Sequence, residues 1–304
     1  MRHSSIFKKC ALTLISVIII LNGNAQDAEQ AISKMLPEIP AEITDPAKRA
    51  EYLTQHFWDK YDFSDAAFLE KDEMLERSFV DFVDLLSLVP EEARDKSINL
   101  LMKKAESEPK VFADLITLSE QYLYALTSPL CDEEKLIPFL QYALQAPVFS
   151  DVEKIRPAFV LECITKNRLG DTANDIVYTL KTGDTGTLHS INAEHTLLYF
   201  NDPECEDCKF LIKQLIASTK INDLISNNKL KIITVYLFDN IETWEKHSSE
   251  VPDTWIYSRD AEQKIMIEND YNIKQFPTIY LLGKEKKVIL KETTFEKLED
   301  YFRE

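Results

Sequence analysis

An all-helical module followed by an α/β module is the fold class this sequence predicts, on three observations. No glycine occurs in the 144 residues from Gln26 to Leu169, whereas four of the five glycines fall between Gly170 and Gly283. Before that boundary, apolar residues recur at helical spacing, as in Phe79, Phe82, Val83, Leu86 and in Leu115, Leu118, Tyr122, Leu126. After it, runs of β-branched and aromatic residues alternate with shorter helical stretches. A length of 304 residues, 45% hydrophobic and 29% charged, suits two folded domains rather than a disordered chain.

The helical elements follow in order from their start signals. Asp45-Pro46 places a capping carboxylate before a proline at the first helical position. Ser107-Glu108-Pro109 repeats that pattern, and Ser150-Asp151-Val152-Glu153 reads as a capping box. Helices are expected near 46–58, 73–89, 91–106, 109–127, 132–145 and 152–168. With no sheet in this half, their apolar faces must pack on one another.

The second half reads differently. Asp175–Leu180 and Thr187-Leu188 are strand text between glycines, and Thr196–Phe200 is a strand followed by a helix from about Cys205 to Ser218. Lys231–Phe238 is a second buried strand, and 261–271 is expected to be helical. Thr278–Leu282 and Lys287–Leu290 form a hairpin around Gly283, and 294–303 closes as a helix. This order predicts a central sheet covered on both faces.

Residues 1–25 are expected to be a secretory leader, leaving 26–168 as the helical domain and 169–304 as the α/β domain. Arg2, Lys8 and Lys9 precede an apolar run from Ala11 to Leu21, and Gly23-Asn24-Ala25 supplies small residues before a cleavage site. The apolar run is short for a membrane span, and Cys10 lies ahead of it, so neither a retained anchor nor a lipidated cysteine is expected. Cleavage after Ala25 takes the net charge from −17 to −20, because only three basic residues are removed. That balance opposes binding to nucleic acid or to an anionic membrane surface. The glycines form neither G-x-G-x-x-G nor G-x-x-x-x-G-K-[ST], which excludes those two nucleotide-binding loops.

Chemistry is concentrated at Cys205-Glu206-Asp207-Cys208. Two cysteines three apart at a strand-to-helix junction can close a disulfide on the first helical turn. Cys205 would face the helix N-terminus, whose open amides favour a thiolate, and Cys208 would sit on the inner side as a resolving thiol. A zinc half-site and a structural bridge are the alternatives. Zinc needs four ligands, and neither a second C-x-x-C nor a tightly spaced histidine pair is present. A bridge closing so short a loop would stabilise little.

The context carries a resemblance. Leu198-Tyr199-Phe200-Asn201-Asp202-Pro203-Glu204-Cys205-Glu206-Asp207-Cys208-Lys209 resembles the active-site segment of the thioredoxin superfamily. Phe276-Pro277-Thr278 is similar to that family's cis-proline loop. Asn174-Asp175-Ile176, with Gly170-Asp171, resembles the opening of the exported TlpA/ResA-like subfamily. The resemblance covers about 170–304. It implies a thioredoxin-like fold with a central mixed sheet flanked by helices, no cofactor beyond a redox-active Cys205–Cys208 disulfide, no metal, and a substrate-facing loop at Phe276 and Pro277. Protein thiols and disulfides, and a membrane-borne electron donor, would be the partners of a periplasmic protein. The helical half, with Arg49-Ala50-Glu51-Tyr52-Leu53, Trp58 and Asp62-Phe63-Ser64-Asp65, is similar to a bacterial domain of unknown function found ahead of thioredoxin-like domains. Two positions depart from the family's pattern: Tyr199 stands where a buried carboxylate would help deprotonate the second cysteine, and Glu204 stands where a tryptophan is usual.

Glu204, Glu206 and Asp207 set negative charge around Cys205, opposed by Lys209 and the helix terminus. A less stabilised thiolate favours a reductant over an oxidant. The rival reading is an exported binding protein in which the helical domain holds a partner and the second domain is a scaffold. Cys131 and Cys163 could be bridged in an exported protein or could be two small buried hydrophobes. Trp58, Trp244 and Trp255 read as packing residues. His56 and His247 are isolated, and nothing before Cys205 resembles a peroxidatic lead-in.

Overall fold

The structure is a computed structural model that describes residues 35–65 and 72–303. The predicted leader lies outside the described residues. The chain divides into two compact units, 1–154 and 155–304. The division falls within the last helix of the helical half, fourteen residues before the boundary that composition suggests.

Among the described residues, six helices make up the first half: α1 (Pro46–His56), α2 (Asp72–Leu86), α3 (Glu91–Ala105), α4 (Pro109–Leu123), α5 (Glu133–Gln145) and α6 (Asp151–Thr165). Each coincides with an expected helix, within a few residues at its ends. The Asp45 carboxylate accepts from the Lys48 amide at 3.0 Å with Pro46 at N1. Ser150 and Glu153 exchange the expected contacts, with the Glu153 carboxylate accepting from the Ser150 amide at 2.8 Å. At α4 the cap position is Glu108, which makes no side-chain capping bond, so Pro109 alone marks that start. α3 packs on α1, α4 and α5, and α2 on α1 and α4. The core of this unit is aromatic: Phe57, Trp58, Tyr61, Phe63, Phe79, Phe82, Phe112 and Phe139 are all buried.

The second unit contains β1 (Val177–Leu180), β2 (Thr185–Thr187), β3 (His195–Asn201), α7 (Glu206–Ala217), α8 (Thr219–Ser226), β4 (Leu230–Tyr236), α9 (Ile241–Lys246), β5 (Ile256–Arg259), α10 (Lys264–Ile267), β6 (Thr278–Leu282), β7 (Val288–Leu290) and α11 (Phe295–Arg303). The strands form one mixed sheet in the order β2-β1-β5-β4-β3-β6-β7. β3–β4 and β4–β5 are parallel, and the remaining pairs are antiparallel. In β3, β4 and β6 the side chains alternate between two faces. Leu198, Ile233 and Tyr280 join one core with Ile265 and Tyr271. Leu197, Ile232 and Ile279 join the other, under α7, α8 and α11. That alternation is the period-2 consequence of a pleated strand buried on both sides. Gly170 takes a positive φ of 84°, a conformation open to glycine, where the chain turns to run beside β7.

Four differences from the expected elements are instructive. The helix expected over 261–271 is only 264–267, because Gln263 and Asn269 adopt left-handed φ values of 54° and 50° and end it on both sides. β5 and the helices α8 and α9 were not anticipated. β5 is four residues long and ends in Ser258 and Arg259, so its sequence carries no strand signature of its own.

Candidate active site

β3 stops at Asn201, and a tight turn sets the first cysteine. The Asp202 side chain accepts from the Glu204 amide at 3.0 Å, and its carbonyl accepts from the Cys205 amide at 3.1 Å. Cys205 then becomes the N-cap of α7, with extended backbone at φ −74° and ψ 127°. Its carbonyl starts the helix by accepting from the Lys209 amide at 3.1 Å, but its side chain makes no capping bond. The half-buried sulfur is therefore left for chemistry at the positive end of a helix. Cys208, one turn on, points inward with Leu211, Ile212 and Leu215 and is fully buried. Both are thiols in this structure.

Burial pushes the Cys208 thiol up to about 12, against opposing hydrogen bonds from the Asp202 main chain and the Tyr199 hydroxyl. Tyr199 is itself fully buried and donates to the Cys208 carbonyl at 3.0 Å. Burial, followed by the neighbouring cysteine, holds the Tyr199 phenol well above its ordinary range.

Phe276 and Pro277 meet this turn from the other side of the sheet end. The Phe276–Pro277 peptide is cis, and the Cys205 thiol lies 3.7 Å from the Phe276 carbonyl oxygen. The segment leading into this loop is anchored. Lys274 and Glu292 form a 2.9 Å ion pair, Asn167 and Asn174 donate to the Asp270 carbonyl, and Tyr271 donates to the Asn174 carbonyl at 2.6 Å. The sequence-predicted cysteine turn and proline loop, with Cys205 and Phe276 71 residues apart in the chain, are thus brought together.

The charged neighbours divide. Glu206 and Lys209 pair at 2.8 Å, which lowers the Glu206 carboxyl and raises the Lys209 ammonium. Glu204 and Asp207 are exposed. Glu204, Asp202 and Asp239 also face Tyr236, whose phenol is raised by burial first and by these carboxylates next. Sequence reasoning missed an aromatic shelf: Tyr236, Phe238 and Phe276 follow one another with ring centroids 5.5 Å apart, and Phe238 is 39% exposed. An aromatic pair just past a buried strand was the available signal; the parallel pairing of Asn201 with Tyr236 is what brings it to the cysteines.

Elsewhere, Cys163 is buried in α6 and accepts from the Asn269 side chain at 2.9 Å, and Cys131 is a half-buried thiol. Trp58, Trp244 and Trp255 are buried, as packing residues should be. Among the described residues no cluster of three or more His, Cys, Asp or Glu could hold a metal ion, and no helix is long and apolar enough to cross a membrane.

Comparison with known proteins fits this geometry. Residues 192–288 match the thioredoxin-like family, and residues 20–167 match a domain of unknown function, DUF5106. A thioredoxin-like protein from Bacteroides caccae is 36% identical, with 88% of this chain and 97% of that one covered at a TM-score of 0.83. The C-terminal domain of an uncharacterized protein from Bacteroides fragilis is 40% identical, covering 46% of this chain and 100% of that one, with a TM-score of 0.45. A conserved protein of unknown function from Bacteroides fragilis is 32% identical over 44% of this chain and 98% of its own, with a TM-score of 0.43. No curated protein matches the chain.

Proposed function

The chain belongs to the thioredoxin-like proteins, with a DUF5106 domain ahead of the thioredoxin-like one, and on that basis we propose that it is a thiol–disulfide oxidoreductase that reduces protein disulfides outside the cytoplasm. One observation carries this reading. Cys205, at the N-cap position of α7, makes no side-chain capping bond and holds its half-exposed thiol 3.7 Å from the Phe276 carbonyl, with a buried Cys208 one turn behind it.

Cys205, as thiolate, attacks one sulfur of a substrate disulfide, forming a Cys205–substrate bond and releasing the other substrate sulfur as a thiolate that takes up a proton. Cys208 gives up its proton and attacks the Cys205 sulfur; the second substrate thiol leaves, and the Cys205–Cys208 disulfide remains. Two electrons and two protons pass to the substrate. A dithiol donor held in the membrane restores the thiols. The Phe276 main chain beside Pro277 offers an extended substrate segment its hydrogen-bonding groups, and Phe238 gives it an apolar rest.

The direction toward reduction rests on charge. Three carboxylates, Glu204, Glu206 and Asp207, lie next to Cys205 in the chain against the one ammonium of Lys209, which pairs with Glu206 at 2.8 Å. Negative charge beside the sulfur withholds stabilisation from the dithiol form, as suits an electron donor. The export expected from residues 1–25 places such a protein where disulfides form.

Cys208→Ser in the full chain tests the reading. Stable mixed disulfides on Cys205 are expected, and their complete absence would favour a binding module with an idle dithiol. A reduction potential near that of a strong periplasmic oxidant, about −120 mV, would reverse the direction.

A further inference from the structure

We propose that Tyr199 is the positioning residue for the second half of the reaction: its buried hydroxyl holds Cys208 through the main-chain carbonyl and donates to the Cys208 sulfur as that sulfur takes on negative charge. The inference rests on the redox reading above and adds a residue to it.

The geometry begins with β3. Tyr199 is paired with Thr234 of β4 on one side and Ile279 of β6 on the other, so its ring is locked in the middle of the sheet. It belongs to the core beneath α7 together with Cys208, Leu211 and Leu215. No part of the ring reaches solvent. The hydroxyl is spent on one partner residue: it donates to the Cys208 carbonyl at 3.0 Å, and the buried Cys208 side chain packs in the same core as the ring. A phenol has one proton to donate, so the Cys208 carbonyl and the Cys208 sulfur compete for it. While the sulfur is a neutral thiol, the carbonyl is the better acceptor. Once the sulfur becomes an anion in this apolar setting, a charge-assisted bond to it is the stronger of the two.

The need for such a donor follows from the burial of Cys208. Its thiol titrates near 12, so at neutral pH almost none is ionised, yet it must attack as a thiolate. Tyr199 does not take the proton. Its own ionisation is pushed upward by burial and by the adjacent cysteine, so it remains a donor throughout. The proton balance closes through the substrate: the Cys208 proton ends on the substrate thiolate that leaves as the Cys205–Cys208 bond forms. Tyr199 contributes by lowering the cost of the anion between these two states. First attack, by Cys205, does not use it.

The test separates the two steps. Reduced full-length protein and its Tyr199→Phe variant are mixed with a disulfide-bonded peptide, quenched with acid, and followed by mass spectrometry for the Cys205 mixed disulfide. In Tyr199→Phe, formation should keep its wild-type rate, while resolution slows about tenfold, the factor carried by one lost hydrogen bond to a developing charge. The pH profile of resolution should also move to higher pH, which a merely structural role would not produce. Site-specific 3-fluorotyrosine at position 199 keeps the ring's shape and makes the hydroxyl a stronger donor, so resolution should quicken about two-fold. A mixed disulfide that forms and resolves identically in all three proteins would overturn the role of Tyr199 and leave the redox reading standing. Failure of the wild-type protein to form a mixed disulfide on Cys205 would overturn both.

Discussion

The two units are held together by different kinds of core, and the difference shows where this chain can do chemistry. In the helical unit, Phe57, Trp58, Tyr61, Phe63 and Phe82 touch one another with ring centroids from 4.7 to 6.1 Å apart. Helices satisfy their own backbone, so contacts of this kind fill space and consume the polar groups locally, as in the Tyr61–Ser78 and Ser97–Thr54 hydroxyl pairs. The α/β unit instead buries two faces of a sheet whose strands must end. At the end of β3 the backbone turns through Asp202 and starts a helix whose cap side chain is a thiol. A reactive group with an open helix terminus beside it arises there from the topology itself, and the parallel β3–β4 pair adds the aromatic shelf.

The sharpest break of that comparison is a pair of substitutions. Cys205→Ser should lower disulfide reduction by about 10³-fold or more, since no other group supplies the nucleophile. The unfolding midpoint should not fall. Phe82→Ala in the helical unit should do the reverse. Its fully buried ring touches both Phe57 and Trp58, so stability should drop by about 3–5 kcal/mol, while Cys205 in the folded fraction is alkylated at its usual rate. Urea titration and iodoacetamide kinetics on the same samples measure both. Loss of Cys205 reactivity in Phe82→Ala would show that the division of labour is wrong.

A second contrast lies within the site, between an accessible sulfur and a buried one. An ordinary thiol ionises near 9.0, whereas Cys208 does so only at about 12. Between these values the unfolded dithiol chain releases a proton that the folded chain retains. Stability contributed by the protonated thiol is therefore complete below pH 9 and is lost as pH rises toward 12. The disulfide form has no such proton, so the stability gap between oxidised and reduced protein should widen in alkaline solution. Denaturant titrations of both forms at pH 8 and pH 10 check this; parallel curves would place Cys208 in a wetter setting. Over pH 6 to 9, resolution by Cys208 should quicken about tenfold per pH unit, because its thiol stays protonated throughout.

Much of this architecture was legible, and for identifiable reasons. The six described helices of the first half announce themselves through Asp45-Pro46, Glu108-Pro109 and the Ser150–Glu153 box, and through periodic apolar residues that have only one another to pack against. Cys205, Cys208 and the Phe276-Pro277 loop were readable as motifs because spacing and neighbours are local properties. What escaped depends on pairing. β5 is a strand because β4 and β1 flank it, not because Ile256-Tyr257-Ser258-Arg259 alternates, and Phe238 reaches the site only through the register of β4 against β3. The short α10 illustrates the opposite failure. Apolar residues spaced as a longer helix were cut at Gln263 and Asn269 by left-handed backbone that no local pattern demanded.

The smallest effect returns to the way helices begin. α1 is capped by the Asp45 carboxylate, which accepts from the Lys48 amide, whereas α7 is capped by Cys205 without any side-chain bond. The structural helix thus uses its first side chain for stability, and the helix at the active site leaves its first side chain idle in that respect. Asp45→Ala should cost about 1 kcal/mol. Cys205→Ser should move the other way, because a serine hydroxyl can accept from the open amides of α7 where a thiol is a weak acceptor, giving about 0.5–1 kcal/mol of added stability. Guanidinium titration of the reduced proteins would resolve both shifts. A Cys205→Ser protein no more stable than the parent would mean that the first turn of α7 is already satisfied, and that Cys205 owes its place to reactivity without any forgone cap.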